Sequence, residues 1–234
     1  MIVLIDYDNL PKLRRNSGLI PICNRILDKI ERLHMRSREK VHCRFYGGWL
    51  RKNKLSKTGN RLLNEAKVGF PYNYSRKGGS VHVVNAELAR SLACEQQLYF
   101  PHTFRVRSVS ENLKVRKFPL NDCSIPSNCP ISVVNSFVHN EICPHSSCNV
   151  SPKMAFYKAE QKLADSMIVV DLIHYAMFDI RTLILVSGDD DMWPGIRYAL
   201  LQKAKVIHII PRGSTGSRNH YKLFSTENYR AITL

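Results

Sequence analysis

Residues 187–196, SGDDDMWPGI, set three consecutive carboxylates directly behind an unbroken apolar run, TLILV. A second polar cluster, Asp6, Asp8 and Asn9 in IDYDN, follows the run IVL near the start of the chain. Short β-branched runs that end in polar clusters are predicted to be buried strands, which puts both clusters at strand carboxyl ends. In an open α/β sheet, sites form outside those ends, where neighbouring crossovers diverge. Asp165 lies on the helix expected to lead into the second strand, and Lys162, three residues earlier, is predicted to share its face. If the two strands are neighbours, Asp6, Asp165, Asp189 and Asp191 converge. Like charges that close repel strongly unless a cation sits among them. An oxygen-only donor set favours hard ions, so Mg²⁺ or Mn²⁺ is the expected cofactor. Beside a basic surface, the natural chemistry is phosphodiester hydrolysis. The ion polarises a phosphoryl oxygen and acidifies water, one carboxylate orients that water for in-line attack, and Lys162 offsets charge on the phosphate. Asp190 or Asp191 could instead cap the helix expected from Met192.

The elements that must position these groups read as α/β. Residues 2–6, 41–47, 182–188 and the segments KVIHII and YRAITL are strand candidates, as are VHVVN and TFRVRSV. Ile20, Ile22, Ile26, Leu27, Ile30 and Leu33 recur at helical spacing and predict a helix over about 20–36. A short helix is expected over 57–67. From Ser151 as N-cap and Pro152 as first helical residue, one helix is predicted to run to about 178, and another spans MWPGIRYALLQKA. Strand and helix alternating in this order imply a central parallel sheet.

Length allows one well-cored domain, 1–234, with an insertion. The net charge of +16 is concentrated, because residues 10–120 hold 24 Lys/Arg against 7 Asp/Glu. So basic a face attracts polyanions by counterion release, and nucleic acid, RNA before DNA, is the expected partner. Arg51, Lys52, Lys54, Arg76 and Lys77 are the expected phosphate contacts, with Tyr72, Tyr74, Phe104 and Phe118 among the basic runs as candidate base-stacking rings. MIVLIDYDNL has no basic leader, and its apolar run stops after five residues. A soluble cytoplasmic protein with no membrane partner is expected.

Three elements, IDYDN, then KLADSMIVVD, then SGDDDMWP, occur in order and resemble the NYN branch of the PIN-like, FLAP-nuclease-related ribonucleases. In that family the pattern runs D-x-x-N, K-x-x-D with a second Asp along the helix, and S-G-D-x-D before an aromatic and Pro. The resemblance covers about 1–47 and 153–234, and Ser217, Leu223 and ENYRAI resemble the family's closing helix and strand. It implies a three-layer α/β/α fold. It also implies metal-binding, catalytic roles for Asp6, Asp165, Asp189 and Asp191, with Asn9 orienting the first carboxylate or touching substrate and Ser187 tightening the turn. Asp171, six positions past Asp165, is rotated about 120° from it. Asp190 stands where the family has a small or polar residue, so it is expected to face solvent.

Between about 118 and 152, Pro, Ser, Asn and Cys dominate and helical periodicity disappears, which marks an inserted segment. Cys123, Cys129, Cys143, His145 and Cys148 follow a C-x5-C, then C-x-H-x2-C pattern. Four of the five could hold a structural zinc, the alternative being unliganded thiols. The insertion is also where a protein partner or second copy would bind. The function expected is a metal-dependent endoribonuclease. The competing readings are an RNA-binding adaptor without turnover and a small-molecule metal phosphohydrolase.

Overall fold

The two apolar runs behind the acid clusters are neighbouring central strands in a computed structural model, which describes residues 1–30, 40–75, 80–108, 129–161, 163–178, 180, 182–212 and 227–234. The chain begins with β1 (Ile2–Asp6), α1 (Lys12–Arg15), α2 (Leu19–Lys29), β2 (Val41–Tyr46), β3 (Leu50–Arg51), β4 (Lys54–Leu55) and α3 (Lys57–Gly69). Next come β5 (Tyr72–Ser75), β6 (Val81–Leu88), β7 (Phe104–Ser108), α4 (Pro130–Asn140), α5 (Pro152–Ala155) and β8 (Tyr157–Gln161). It ends with α6 (Ala164–Met177), β9 (Thr182–Val186), α7 (Trp193–Leu201), β10 (Lys205–Ile210) and β11 (Tyr229–Thr233).

Seven strands form one sheet in the order β11-β10-β9-β1-β2-β6-β5. All neighbours are parallel except the edge strand β5, antiparallel to β6. The register sets Ile5 beside Val186 and Asp6 beside Tyr46, so β1, β2 and β9 end level with one another. From β1 the chain moves to β2 on one side, and from β9 it moves to β10 on the other. Their connections therefore part above the β1–β9 pair, which makes it the switch point of the sheet.

Helices cover both faces. In α2, Leu19, Ile22, Cys23, Ile26 and Leu27 form a buried stripe at i, i+3, i+4, i+7 and i+8. They join Val3, Ile5, Cys43, Phe45, Ile184 and Val186 in one core. Each buried Leu or Ile there contributes about 1.5–3 kcal/mol. On the opposite face Leu4, Leu183 and Leu185 pack with Met167, Ile168 and Leu172 of α6 and Trp193, Ile196 and Ala199 of α7. Gly195 permits the close approach of these two helices, since a Cβ there would lie 3.0 Å from Leu172 Cδ1 and 3.2 Å from Val169 Cα.

Several boundaries differ from expectation. Helix α2 stops at Lys29 because Ile30 is extended, and 31–36 lie outside the described residues. The single helix predicted over 152–178 is three elements: the one-turn α5, the strand β8, and α6. Leu163, with φ 69°, turns the chain into α6, so residue 162 precedes the helix that carries Asp165. Tyr72 and Tyr74 are not stacking platforms. Their hydroxyls donate to Asn24 Oδ1 (2.7 Å) and Asp28 Oδ1 (2.6 Å), which locks both rings against α2.

The chain forms two compact units, Met1–Phe104 with Gln161–Leu234, and Arg105–Glu160. The second is wider at both ends than the compositional segment 118–152. It holds the β7–β8 pair, α4 and α5, with the Phe137 and Phe156 rings 5.7 Å apart. No helix among the described residues is long and apolar enough to cross a membrane.

Candidate metal centre

Alternation along the strands decides where the acids point. On β1, Val3 and Ile5 face α2, so Leu4 and Asp6 face α6. Ser187, two beyond Leu185, follows the same side of β9. Because α6 packs its Ala164, Met167 and Ile168 on this face, its first turn delivers Asp165 over the carboxyl end of β1. A helix amino terminus also favours negative charge. Asp165, Asp189 and Asp191 each present an oxygen within 4.8 Å of the other two.

Asp6 is 1% exposed. Burial, and then the nearby Asp165 charge, push its carboxyl from 3.8 up to about 7, against the opposing hydrogen bonds from Asn9 and Ser187. Those bonds place it. The Asn9 backbone N–H donates to Asp6 Oδ1 (3.2 Å) and the Ser187 hydroxyl to Oδ2 (3.2 Å). Ser187 Oγ also accepts from the Asp189 N–H (3.1 Å), and Asn9 Oδ1 accepts from the Gly188 N–H (3.0 Å). Two crosslinks thus tie the loop after β1 to the loop after β9. Ser187→Ala removes a donor to one carboxylate and an acceptor for a backbone N–H together. It should cost about 1–3 kcal/mol, read as a lowered urea midpoint with an unchanged m-value.

Asp189 accepts from the Asp191 N–H (3.2 Å) at the head of the 3₁₀ turn Asp190–Met192. Asp189 therefore caps this turn, and α7 itself, which starts at Trp193, has no side-chain cap from Asp190 or Asp191. Asp190 does not face solvent as expected. Its Oδ1 is buried without a hydrogen-bond partner, while Asp191 is the exposed member of the run. A residue unmarked by any motif supports this loop. His208 Nε2 lies 2.9 Å from the Ser187 carbonyl and Nδ1 lies 3.0 Å from the Tyr229 hydroxyl. Burial lowers its pKa to about 4, so near neutral pH Nε2–H donates to the carbonyl and Nδ1 accepts from Tyr229. The sequence signal was a lone His inside an apolar strand.

Asp171, on the same helix as Asp165, belongs to another network. It is fully buried; Arg44 Nε (2.9 Å) and the Tyr46 hydroxyl (2.6 Å) donate to its Oδ2, and the Ala93 N–H (2.8 Å) donates to Oδ1. Glu87 and the Ser91 carbonyl take the rest of the guanidinium. Burial works against the Arg44 charge, but Tyr46, Glu87 and Asp171 outweigh it and keep it protonated.

Of the expected phosphate contacts, Arg51, Lys52 and Lys54 are exposed on the β3–β4 hairpin. Its tip residues Lys52 and Asn53 have φ 50° and 60°, as a two-residue hairpin turn requires. The Lys52 N–H donates to His102 Nδ1 (3.1 Å) and the Asn53 N–H to the Pro101 carbonyl (2.9 Å). The hairpin starts two residues after Gly48, whose N–H donates to Asp8 Oδ2 (2.9 Å), so it leaves from the edge that carries the acids. Lys162, Arg76, Lys77, Cys123, Phe118, Ser217 and Leu223 lie outside the described residues. Among the described residues the zinc candidates do not assemble. Cys129, Cys143, Cys148 and His145 form no group of three or more ligands, whereas Asp165, Asp189 and Asp191 do. Helix α4, eleven residues and about 16 Å long, lies between Cys129 and Cys143. His145 Nδ1 is instead 2.9 Å from Ser147 Oγ.

The donor set Asp165, Asp189 and Asp191 is oxygen-only and negative, and beside it Asp6 is raised to about 7, first by burial and then by the Asp165 charge. Those properties fit a hard divalent cation. Compared with family profiles, curated proteins and solved structures, the chain matches none.

Proposed function

We propose that the chain is a divalent-cation-dependent endoribonuclease of the PIN-like, NYN type that hydrolyses phosphodiester bonds of single-stranded RNA. The observation that carries the proposal is the meeting of Asp165, Asp189 and Asp191 at the β1–β9 switch point, with the buried Asp6 near enough to Asp165 for the two charges to repel. An Mg²⁺ or Mn²⁺ ion bound by these four would supply Lewis acidity toward a phosphoryl oxygen and a nucleophile near neutral pH. The side chains do the rest. Asn9 and Ser187 hold Asp6 in place, and Ser187 couples it to the Asp189 loop. Asp191, exposed to solvent, orients the attacking water and takes its proton. Arg51, Lys52 and Lys54 hold the strand by its phosphates. A purely binding surface gains nothing from clustered negative charge facing a polyanion, and the net charge of +16 favours a polymeric over a small phosphorylated substrate.

The test is cleavage of end-labelled single-stranded RNA, single-stranded DNA and a generic phosphomonoester with Mn²⁺, Mg²⁺ or EDTA. RNA should be cut internally with either ion and left intact in EDTA. Cleavage that persists in EDTA defeats the proposal. RNA binding with no cleavage under any ion would assign an adaptor instead, and faster turnover of the monoester would assign a small-molecule phosphohydrolase.

A further inference from the structure

A cavity opens at the same edge of the sheet, on the α2 side of β1. It has a volume of about 240 Å³, with Leu10, Ile22 and Leu234 as an apolar floor and Arg14, Ser17 and Arg25 around it. Arg14 is fixed from both sides. Its Nη2 donates to the Leu234 carbonyl (3.1 Å), and its own carbonyl accepts from the Ser17 hydroxyl (2.7 Å). Its Nη1 is buried with no acceptor. A buried guanidinium N–H without a partner is costly, and a site that keeps one is built for a ligand that supplies the acceptor.

The charge around the cavity points the same way. Among the described residues no Asp or Glu side chain lines it. Arg14 and Arg25 both line the cavity, and burial, then the neighbouring charges of Arg25 and Arg212, lower the pKa of Arg14. Among the described residues none of the three forms an ion pair.

We propose that Arg14 and Arg25, with Ser17 bracing Arg14, form a phosphate-binding pocket that takes a phosphate group of the RNA strand and sets where along the strand cleavage falls. Planar guanidiniums match phosphate oxygens in a fork, and Arg14 keeps one arm of its fork available. The pocket and the acids flank one loop. Leu10 floors the cavity, while the preceding Asn9 holds Asp6 and Gly188 on the other side. A strand crossing the carboxyl edge meets both, so the phosphate seated at Arg14 fixes the register of the phosphodiester that reaches the carboxylates.

The assignment rests on the nuclease proposal only for the identity of the strand, and binding in EDTA tests it without chemistry. Inorganic phosphate should raise the melting temperature of the wild type above that in chloride of equal ionic strength, and should do so less for Arg14→Gln. Single-stranded RNA should bind Arg14→Gln roughly tenfold and Arg25→Gln roughly threefold more weakly, with the slope of log K against log salt falling by about 0.7 for each arginine removed. Arg25 is exposed, so its variant answers the question even if Arg14→Gln folds poorly. Comparing 5′-phosphorylated, 5′-hydroxyl and mononucleotide ligands identifies the phosphate. Equal affinity of the two RNAs places an internal phosphate there, and a loss confined to the 5′-hydroxyl strand places the terminal one. A mononucleotide that binds as tightly as either RNA overturns the strand assignment. Wild-type RNA affinity in both variants, or phosphate protection unchanged by Arg14→Gln, overturns the pocket. If the wild type cleaves nothing with Mn²⁺ while these differences persist, the nuclease proposal fails and the phosphate pocket stands.

Discussion

Asp165→Asn is expected to cleave RNA roughly 10³-fold more slowly than wild type at an almost unchanged urea midpoint, whereas Asp171→Ala should lose about 3–5 kcal/mol of stability while its folded fraction still cleaves. The two aspartates sit on one helix, and their surroundings assign them opposite work. Asp165 is half-buried among other acids, so the amide relieves repulsion and, under the proposed mechanism, takes away a ligand of the ion. Asp171 is fully buried and accepts three hydrogen bonds. Its removal strands the Arg44 charge, the Tyr46 hydroxyl and the Ala93 N–H in the core. Asp171→Asn should not rescue the loss, because an amide whose oxygen keeps Arg44 and Tyr46 turns its NH2 group toward the Ala93 N–H, and the negative charge opposite Arg44 is gone in either orientation. Urea denaturation and single-turnover cleavage on the same samples separate the outcomes. An Asp165→Asn protein with near wild-type turnover would remove the carboxylates from the mechanism. Loss of turnover beyond the folded fraction in Asp171→Ala would place it in the mechanism.

That contrast also marks how far local sequence carries. The central strands were readable because a parallel sheet covered on both faces needs unbroken apolar runs, and IVL, TLILV and VIHII are such runs. The acid clusters were readable at their ends for the same reason. What failed depends on residues far apart in the chain. SPKMAFYKAEQKLADSMIVVDLIHYAMF has continuous helical propensity, yet β8 forms within it by pairing with β7, about fifty residues earlier. Asp171 could be recognised as uncomfortable in an apolar helix, but its partners come from β2 and from Ala93. Arg14 looked like one more surface charge in KLRR until α2 and the end of β11 closed around it. Of the cysteine pattern, Cys123 lies outside the described residues, and α4 forms between Cys129 and Cys143 where no helix was expected.

Asp6→Asn should inactivate the protein and, without divalent ions, make it more stable than wild type at pH 8 by about 2–4 kcal/mol. The sign follows from the direction of the shift. Asp6 is raised from 3.8 to about 7 in the folded chain, so between those values the folded state holds a proton that the unfolded state has lost. Its contribution is complete below pH 3.8, declines as pH rises, and is gone above about 7. His208 runs the opposite way. Lowered from 6.5 to about 4, it contributes fully above 6.5 and loses that contribution as pH falls toward 4. Each alone gives a slope of about 1.4 kcal/mol per pH unit, and between pH 4 and 6.5 the two nearly cancel. Asp6→Asn deletes one slope and exposes the other. Its stability relative to wild type should therefore climb from pH 4.5 through 6 to 8, as read by urea midpoints in EDTA. Adding Mn²⁺ should stabilise the wild type more at pH 8 than at pH 6, because the ion binds the carboxylate form, and should stabilise the variant little at either. A variant less stable than wild type at pH 8 in EDTA would mean that Asp6 is already compensated by the protein itself, and a site so compensated has no electrostatic need of a cation.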